Sequence, residues 1–234
     1  MTNEGDIIIV NGASCCGKTS MTREMQALSE RPFIVTGIDD FLPMFSAKYI
    51  GVDQAAQNES HHWTAPGNRK STEGFEILIK PGGEGSNGIP TLSSRCGPVG
   101  WSLLSGMHRA FAAMARAGNS LIVGDAASEV LMYDYCATLK GLKVYLIGVY
   151  CSLEELERRE ASQKGRGAGA ARMQVDKVHI PGQYDFTVDS EKHSAAECAR
   201  LVLDFVENNP PRAFDELVKR HGDFKPAEFP VQTF

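Results

Sequence analysis

Residues 6–20 read DIIIVNGASCCGKTS, and this stretch decides the fold. Ile7, Ile8, Ile9 and Val10 form an apolar run that suits a strand buried on both faces. The run leads into Gly12-x4-Gly17-Lys18-Thr19, the spacing of a phosphate-binding loop, and residues 18–29 then read as a helix. Each residue type has a task there. Gly12 and Gly17 permit backbone conformations closed to other residues, so consecutive amides can curl round a phosphate. The predicted loop comprises Gly12, Ala13, Ser14, Cys15, Cys16, Gly17, Lys18, Thr19 and Ser20. The start of the helix adds unpaired N–H groups and a partial positive charge. The Lys18 ammonium can sit between the outer phosphates, and the Thr19 hydroxyl can hold the accompanying magnesium. With strand, loop and helix in order, a nucleoside triphosphate site is favoured over a glycine turn that binds nothing. Cys15 and Cys16 read as small loop residues in preference to a redox pair.

The 234 residues fit one α/β domain with a small lid or insertion. A net charge of −5 provides no broad cationic surface, which argues against nucleic acid as substrate. No run approaches the roughly 20 apolar residues of a membrane span, and residues 1–15 lack a signal-peptide pattern. The six cysteines show no CxxC pair, so reduced thiols in the cytoplasm are expected.

Apolar runs at 6–11, 33–38, 119–124, 143–150 and 184–188 alternate with helical patterns, which predicts a parallel sheet covered by helices. Residues 99–117 place Leu103, Leu104, Met107, Phe111 and Met114 on one stripe, stopped by Gly118. Ser152 and Glu155 read as a capping box for 153–163. Ala195, Cys198, Leu201, Val202 and Phe205 mark the inner face of a helix over 194–207, and a short helix is expected at 213–221 within a tail at 208–234. Residues 50–98 form a polar insertion in which FEILIK (75–80) and the glycine-rich 81–88 suggest a hairpin. An insertion of this length beside a nucleotide site is a candidate substrate-binding region.

Three groups of residues carry further chemistry. The second run ends in Gly37-Ile38-Asp39-Asp40, and ligands gather at the carboxyl ends of strands in such sheets. Asp39 is the candidate base that takes a proton from an acceptor hydroxyl, with Asp40 either capping a short helix at 41–46 or supporting Asp39 from behind. The third run ends in Gly124-Asp125, and Asp125 is the candidate magnesium-orienting carboxylate. Residues 158–178 are basic and glycine-interrupted and read as a lid. In it, Arg159 and Arg166 are candidates to neutralise a transferring phosphoryl group, whereas Arg158 reads as a partner of nearby glutamates. The histidines lack zinc spacing, and His61-His62 read as a surface pair. Trp63 and Trp101 read as packing residues first and as walls for an aromatic substrate second.

NGASCCGKTS, GIDDF, MARAGNSLIVGDA, LIGVYCSLEELERRE and YDFTVDSEKHSAAECA together resemble the chloramphenicol phosphotransferase family, over roughly residues 5–48 and 96–206. The resemblance implies a three-layer, nucleoside-monophosphate-kinase-like P-loop fold with a five-stranded parallel sheet. It also implies transfer of the γ-phosphate of ATP to a hydroxyl of an antibiotic, hence antibiotic resistance, with Asp39 as base and Arg159 and Arg166 in the lid. Gln163 stands where the family has a further lid arginine, and Gly124 where it has the first acid of a pair. The expectation is therefore a cytoplasmic, ATP- and Mg2+-dependent O-phosphotransferase acting on a small hydroxylated acceptor, without nucleic acid or membrane. A homo-oligomer is compatible with it. A kinase of another metabolite or nucleotide is the second reading. A regulatory nucleotide switch is the third, although Asn-Lys-x-Asp is absent.

Overall fold

The computed structural model describes residues 4–52, 73–80, 91–162, 169–179, 183–225 and 232–233. Its central sheet is built from β1 (Ile7–Asn11), β2 (Phe33–Gly37), β6 (Ser120–Asp125), β7 (Val144–Tyr150) and β8 (Phe186–Asp189). The order is β2-β6-β1-β7-β8, and all neighbours are parallel. The five apolar runs are thus the five strands, displaced by at most two residues from their expected ends. At the end of β2, a Cβ on Gly37 would lie 2.2 Å from the Gly124 carbonyl, so this pairing needs a glycine.

Residues alternate across the sheet, and each side buries its own core. Ile7, Ile9, Leu121, Val123, Val144 and Leu146 face α3 (Pro98–Arg116), α4 (Glu129–Thr138) and α8 (Ala213–His221). Ile8, Val10, Ile122, Ile147 and Val149 face α1 (Lys18–Leu28) and α7 (Ala195–Asn208). This gives helix, sheet and helix layers. In α3, Leu104, Met107 and Phe111 are buried as their spacing predicts, and Gly118 ends the helical segment at φ 94°. Trp101 joins the same core, as a packing residue.

Several local readings change. Residues 41–46 do not form one helix: α2 (Ile38–Phe41) gives way to a 3-10 turn at Leu42–Met44, where Pro43 removes a backbone donor. The capping box at α5 (Leu153–Ser162) is half made. Ser152 Oγ accepts from the Glu155 amide at 3.3 Å, but the Glu155 carboxylate pairs with arginines, and Glu191 accepts from the Ser152 amide instead. The complete box is Ser194 with Glu197, at the start of α7. Leu201 faces solvent, and Ala199, Leu203 and Val206 take its place in the core.

The insertion contributes a second sheet, which the sequence had suggested only as a hairpin. β4 (Phe75–Lys80) pairs antiparallel with β5 (Thr91–Cys96), β3 (Ile50–Val52) runs parallel to β4, and β9 (Gln232–Thr233) pairs with β5. Residues 81–88, His61, His62 and Trp63 lie outside the described residues. No described helix is long and apolar enough to cross a membrane.

Candidate active site

The phosphate loop runs from β1 to α1. Two of its residues adopt left-handed backbone, Cys15 at φ 63° and Gly17 at φ 90°. Gly12 is needed for a different reason than the sequence suggested. A Cβ there would lie 2.7 Å from both the Cys16 sulfur and the Val149 carbonyl, so close packing, not backbone freedom, requires the glycine. Cys15 and Cys16 are buried, and no described cysteine is in a disulfide. Lys18 Nζ donates to the carbonyls of Gly12 at 2.8 Å and Ala13 at 2.7 Å. The Ser14 amide donates to Gln174 Oε1 at 2.6 Å, from α6 (Ala170–Gln174).

A cleft of about 1550 Å³ opens along this loop, more than the few hundred Å³ of a typical small-molecule pocket. One wall carries Ser14, Cys15, Cys16, Gly17, Lys18, Thr19 and Ser20 with Arg159, Lys177 and Lys192. The segment 37–51 and the hairpin also line the cleft, with Asp39, Asp40, Leu42, Phe75, Glu76 and Leu92. Asp125 lines it as well. The sequence-predicted base, loop and strand-end acid therefore share one cavity.

Asp39 and Asp40 are both exposed in the first turn of α2. Gly37 is the N-cap residue and no side chain caps that helix, so the capping role expected of Asp40 is not made. Asp125 is buried, with Oδ1 accepting from the Ala126 amide at 2.7 Å and Oδ2 from the Tyr135 hydroxyl at 2.6 Å. The Gly12 amide donates to its carbonyl oxygen, tying the strand end to the loop.

Arg159 reaches the loop: a Cβ on Gly17 would lie 3.9 Å from its guanidinium. It is held there by Glu155 Oε1 at 2.7 Å and by the Ser190 carbonyl at 2.7 Å. Hydrogen bonds from Arg158, and after it Arg159, hold the Glu155 carboxyl down at about 2. Arg158 is exposed and forms a two-pronged pair with Glu155, as expected of a partner residue. Arg172 pairs with Glu157. Arg166 and Gln163 lie outside the described residues.

Four site-shaping residues escaped the sequence reading. Gln174 occupies a loop amide. Glu160, buried, accepts from the amides of Gly169 at 2.8 Å and Ala171 at 3.1 Å and so fixes α6 against α5. Glu76 is buried and pairs with Arg95, its register partner across the hairpin. His179 stacks on Tyr150, and burial, followed by the charge of Lys18, holds its imidazole below the ordinary range. In the conspicuous Tyr184-Asp185 pair, Tyr184 bonds Asn11 and His179, while Asp185 accepts from the Arg212 and Ala213 amides at the start of α8.

No group of three or more His, Cys, Asp or Glu among the described residues is arranged to hold a metal ion. A magnesium bound by one hydroxyl and one carboxylate, with phosphate and water completing its shell, needs no such group.

Comparison with known proteins adds the following. A family model described as chloramphenicol phosphotransferase-like protein matches residues 5–207. Two Mycobacterium tuberculosis proteins, from strains CDC 1551 / Oshkosh and ATCC 25618 / H37Rv, are each 26% identical over 219 residues, or 93% of this chain and 89% of theirs. Both are named, provisionally, as O-phosphotransferases. Among solved structures, a sugar kinase from Janibacter sp. HTCC2649 superposes with a TM-score of 0.54 at 14% identity, covering 88% of this chain and 96% of that one. Shikimate kinase from Acinetobacter baumannii gives 0.51 at 15% identity, covering 89% and 96%. At these identities the likeness establishes a shared α/β fold with a five-stranded parallel sheet.

Proposed function

The chain belongs to the chloramphenicol phosphotransferase-like family, and from that membership together with its cleft we propose that it is an ATP-dependent O-phosphotransferase acting on a hydroxyl of a small molecule. The first acceptor to try is a chloramphenicol-like antibiotic. The observation that carries the reading is that the exposed Asp39 carboxylate lines the same cavity as Lys18 and the phosphate-loop amides.

The residues take the following parts in this reading. The loop amides after Gly12 and the Lys18 ammonium bind the phosphates, Lys18 exchanging the Gly12 and Ala13 carbonyls for phosphate oxygens. Asp39 accepts the proton of the acceptor hydroxyl as that oxygen bonds the γ-phosphorus. The bond from phosphorus to the bridging oxygen breaks, ADP leaves, and the proton stays on Asp39 until exchanged with water. Arg159 balances charge on the transferred group, and Arg166 shares that task. The oxygen donors of Thr19 and Asp125 suit a hard cation, and bound Mg2+ supplies neutralisation of phosphate charge. Excluding water by closing residues 158–178 protects the phosphoryl group from hydrolysis.

Among the described residues of 37–51 and 75–94 that line the cleft, Glu76 is neutralised by Arg95, and the exposed charged side chains are Asp39 and Asp40, both acidic. Leu42, Phe75 and Leu92 supply an apolar surface beside them. This favours a neutral or cationic acceptor with an apolar body over a nucleotide, whose phosphate would be repelled. Mass spectrometry of products from a panel of neutral, cationic and anionic hydroxyl compounds tests the reading, the first two classes gaining one phosphoryl group. Asp39→Asn is expected to keep ATP affinity and to lower turnover by about 10²- to 10⁴-fold, the usual range for a general base. Turnover near that of the unchanged chain would remove Asp39 from the role.

A further inference from the structure

Behind Asp125 lies a buried polar group that the transfer step does not use. Tyr135, on α4, is fully buried and donates its hydroxyl to Asp125 Oδ2 at 2.6 Å. Its ring stacks on the His108 imidazole with centroids 3.6 Å apart. His108 is itself fully buried, with Nδ1 2.6 Å from Asp134 Oδ2, while Ser105 donates to Asp134 Oδ1 at 3.2 Å. His108 of α3, held by Asp134 of α4, thus packs on the ring of the phenol. A carboxylate offers about four acceptor positions, and on Asp125 the Ala126 amide and Tyr135 take two of them, leaving the others for a cation or its water.

We propose that Tyr135 is a positioning residue for the divalent cation: it fixes the orientation of the Asp125 carboxylate under the phosphate loop, and His108 locks the phenol in place. The inference rests on the reading of Asp125 as the cation-orienting acid. Its physical basis is that groups bonded to a metal-orienting carboxylate set its direction and basicity, and their loss typically weakens metal affinity about 10- to 100-fold. A tyrosine that only filled the core would leave metal affinity unchanged when its hydroxyl alone was removed.

Mn2+ serves as the probe, its affinity for the protein bound to a non-hydrolysable ATP analogue being read by electron paramagnetic resonance. Tyr135→Phe is expected to weaken Mn2+ binding by about 10- to 100-fold and to leave binding of the analogue in EDTA unchanged. Asp125→Asn should weaken it at least as much, and Tyr135→Phe should add nothing in that background. Full Mn2+ affinity in Tyr135→Phe, with a loss in Asp125→Asn, overturns the role of Tyr135 and leaves that of Asp125 standing. Full affinity in Asp125→Asn overturns both. If Tyr135→Phe does not fold, 3-fluorotyrosine placed at position 135 keeps the hydroxyl and reports by fluorine NMR. Its resonance should move when Mg2+ joins the nucleotide complex, and a resonance indifferent to Mg2+ overturns the proposal.

Discussion

The Ser14 amide donates at 2.6 Å to a glutamine carboxamide, in a loop whose amides suit phosphate oxygens. Gln174 and a phosphate therefore compete for the same N–H. A neutral hydrogen bond of this kind is worth about 0.5–1.5 kcal/mol net. Gln174→Ala should accordingly tighten ATP binding by roughly 2- to 12-fold, measured by calorimetry. Weaker binding instead would mean that Gln174 turns to hold the nucleotide. The loop itself was readable because its spacing is local. The neighbouring detail was not: Gly12 is required by the approach of Val149 and Cys16, and β7 carries Val149 far along the chain. Likewise, Tyr135 and Glu160 give no sign in the sequence of the carboxylate and amides they serve. Buried polar contacts depend on which elements meet, and spacing along one element does not record that.

Helix α6 spans five residues and has no side chain of its own capping its start. So short a helix does not hold itself together in water. It is kept by the Glu160 carboxylate of α5, which accepts from the Gly169 and Ala171 amides. Hydrogen bonds to charged groups contribute about 1.5–3 kcal/mol. Glu160→Ala should therefore raise amide exchange over residues 169–175 by about 10- to 100-fold while β1 and β7 keep their protection. Equal loosening of the sheet would show that Glu160 supports more than α6. The longer elements were legible from periodicity alone, as with α3 and the five buried strands. Helix α4 was not, because Leu131, Met132, Asp134, Tyr135 and Cys136 are all buried and leave too little polar face to reveal a 3.6-residue period. The hairpin was foreseen in β4, whereas β3 and β9 join its sheet by pairings that only the tertiary fold specifies.

Helix α8 belongs to the body of the domain although it follows the family-matched residues. Phe214 and Leu217 are buried in the core shared with α4 and β7, and Asp185 accepts from the amides that begin the helix. Removing a buried phenyl ring costs about 3–5 kcal/mol. Phe214→Ala should thus lower the melting temperature by roughly 6–20 °C, read by differential scanning calorimetry. A change within a degree or two would make 213–221 an appendage.

The central position of β1 also has a bearing on how the protein comes into being. Ile7 pairs with Leu121 on one side and with Val144 on the other. A ribosome therefore makes the phosphate loop before the strands that flank β1, which follow more than a hundred residues later. Until then Ile7 to Val10 is an apolar ribbon with unpaired edges, the kind of segment that chaperones retain and aggregates recruit. The phosphate loop is thus made well before the sheet that completes it, and the time between is when the nascent chain most needs protection.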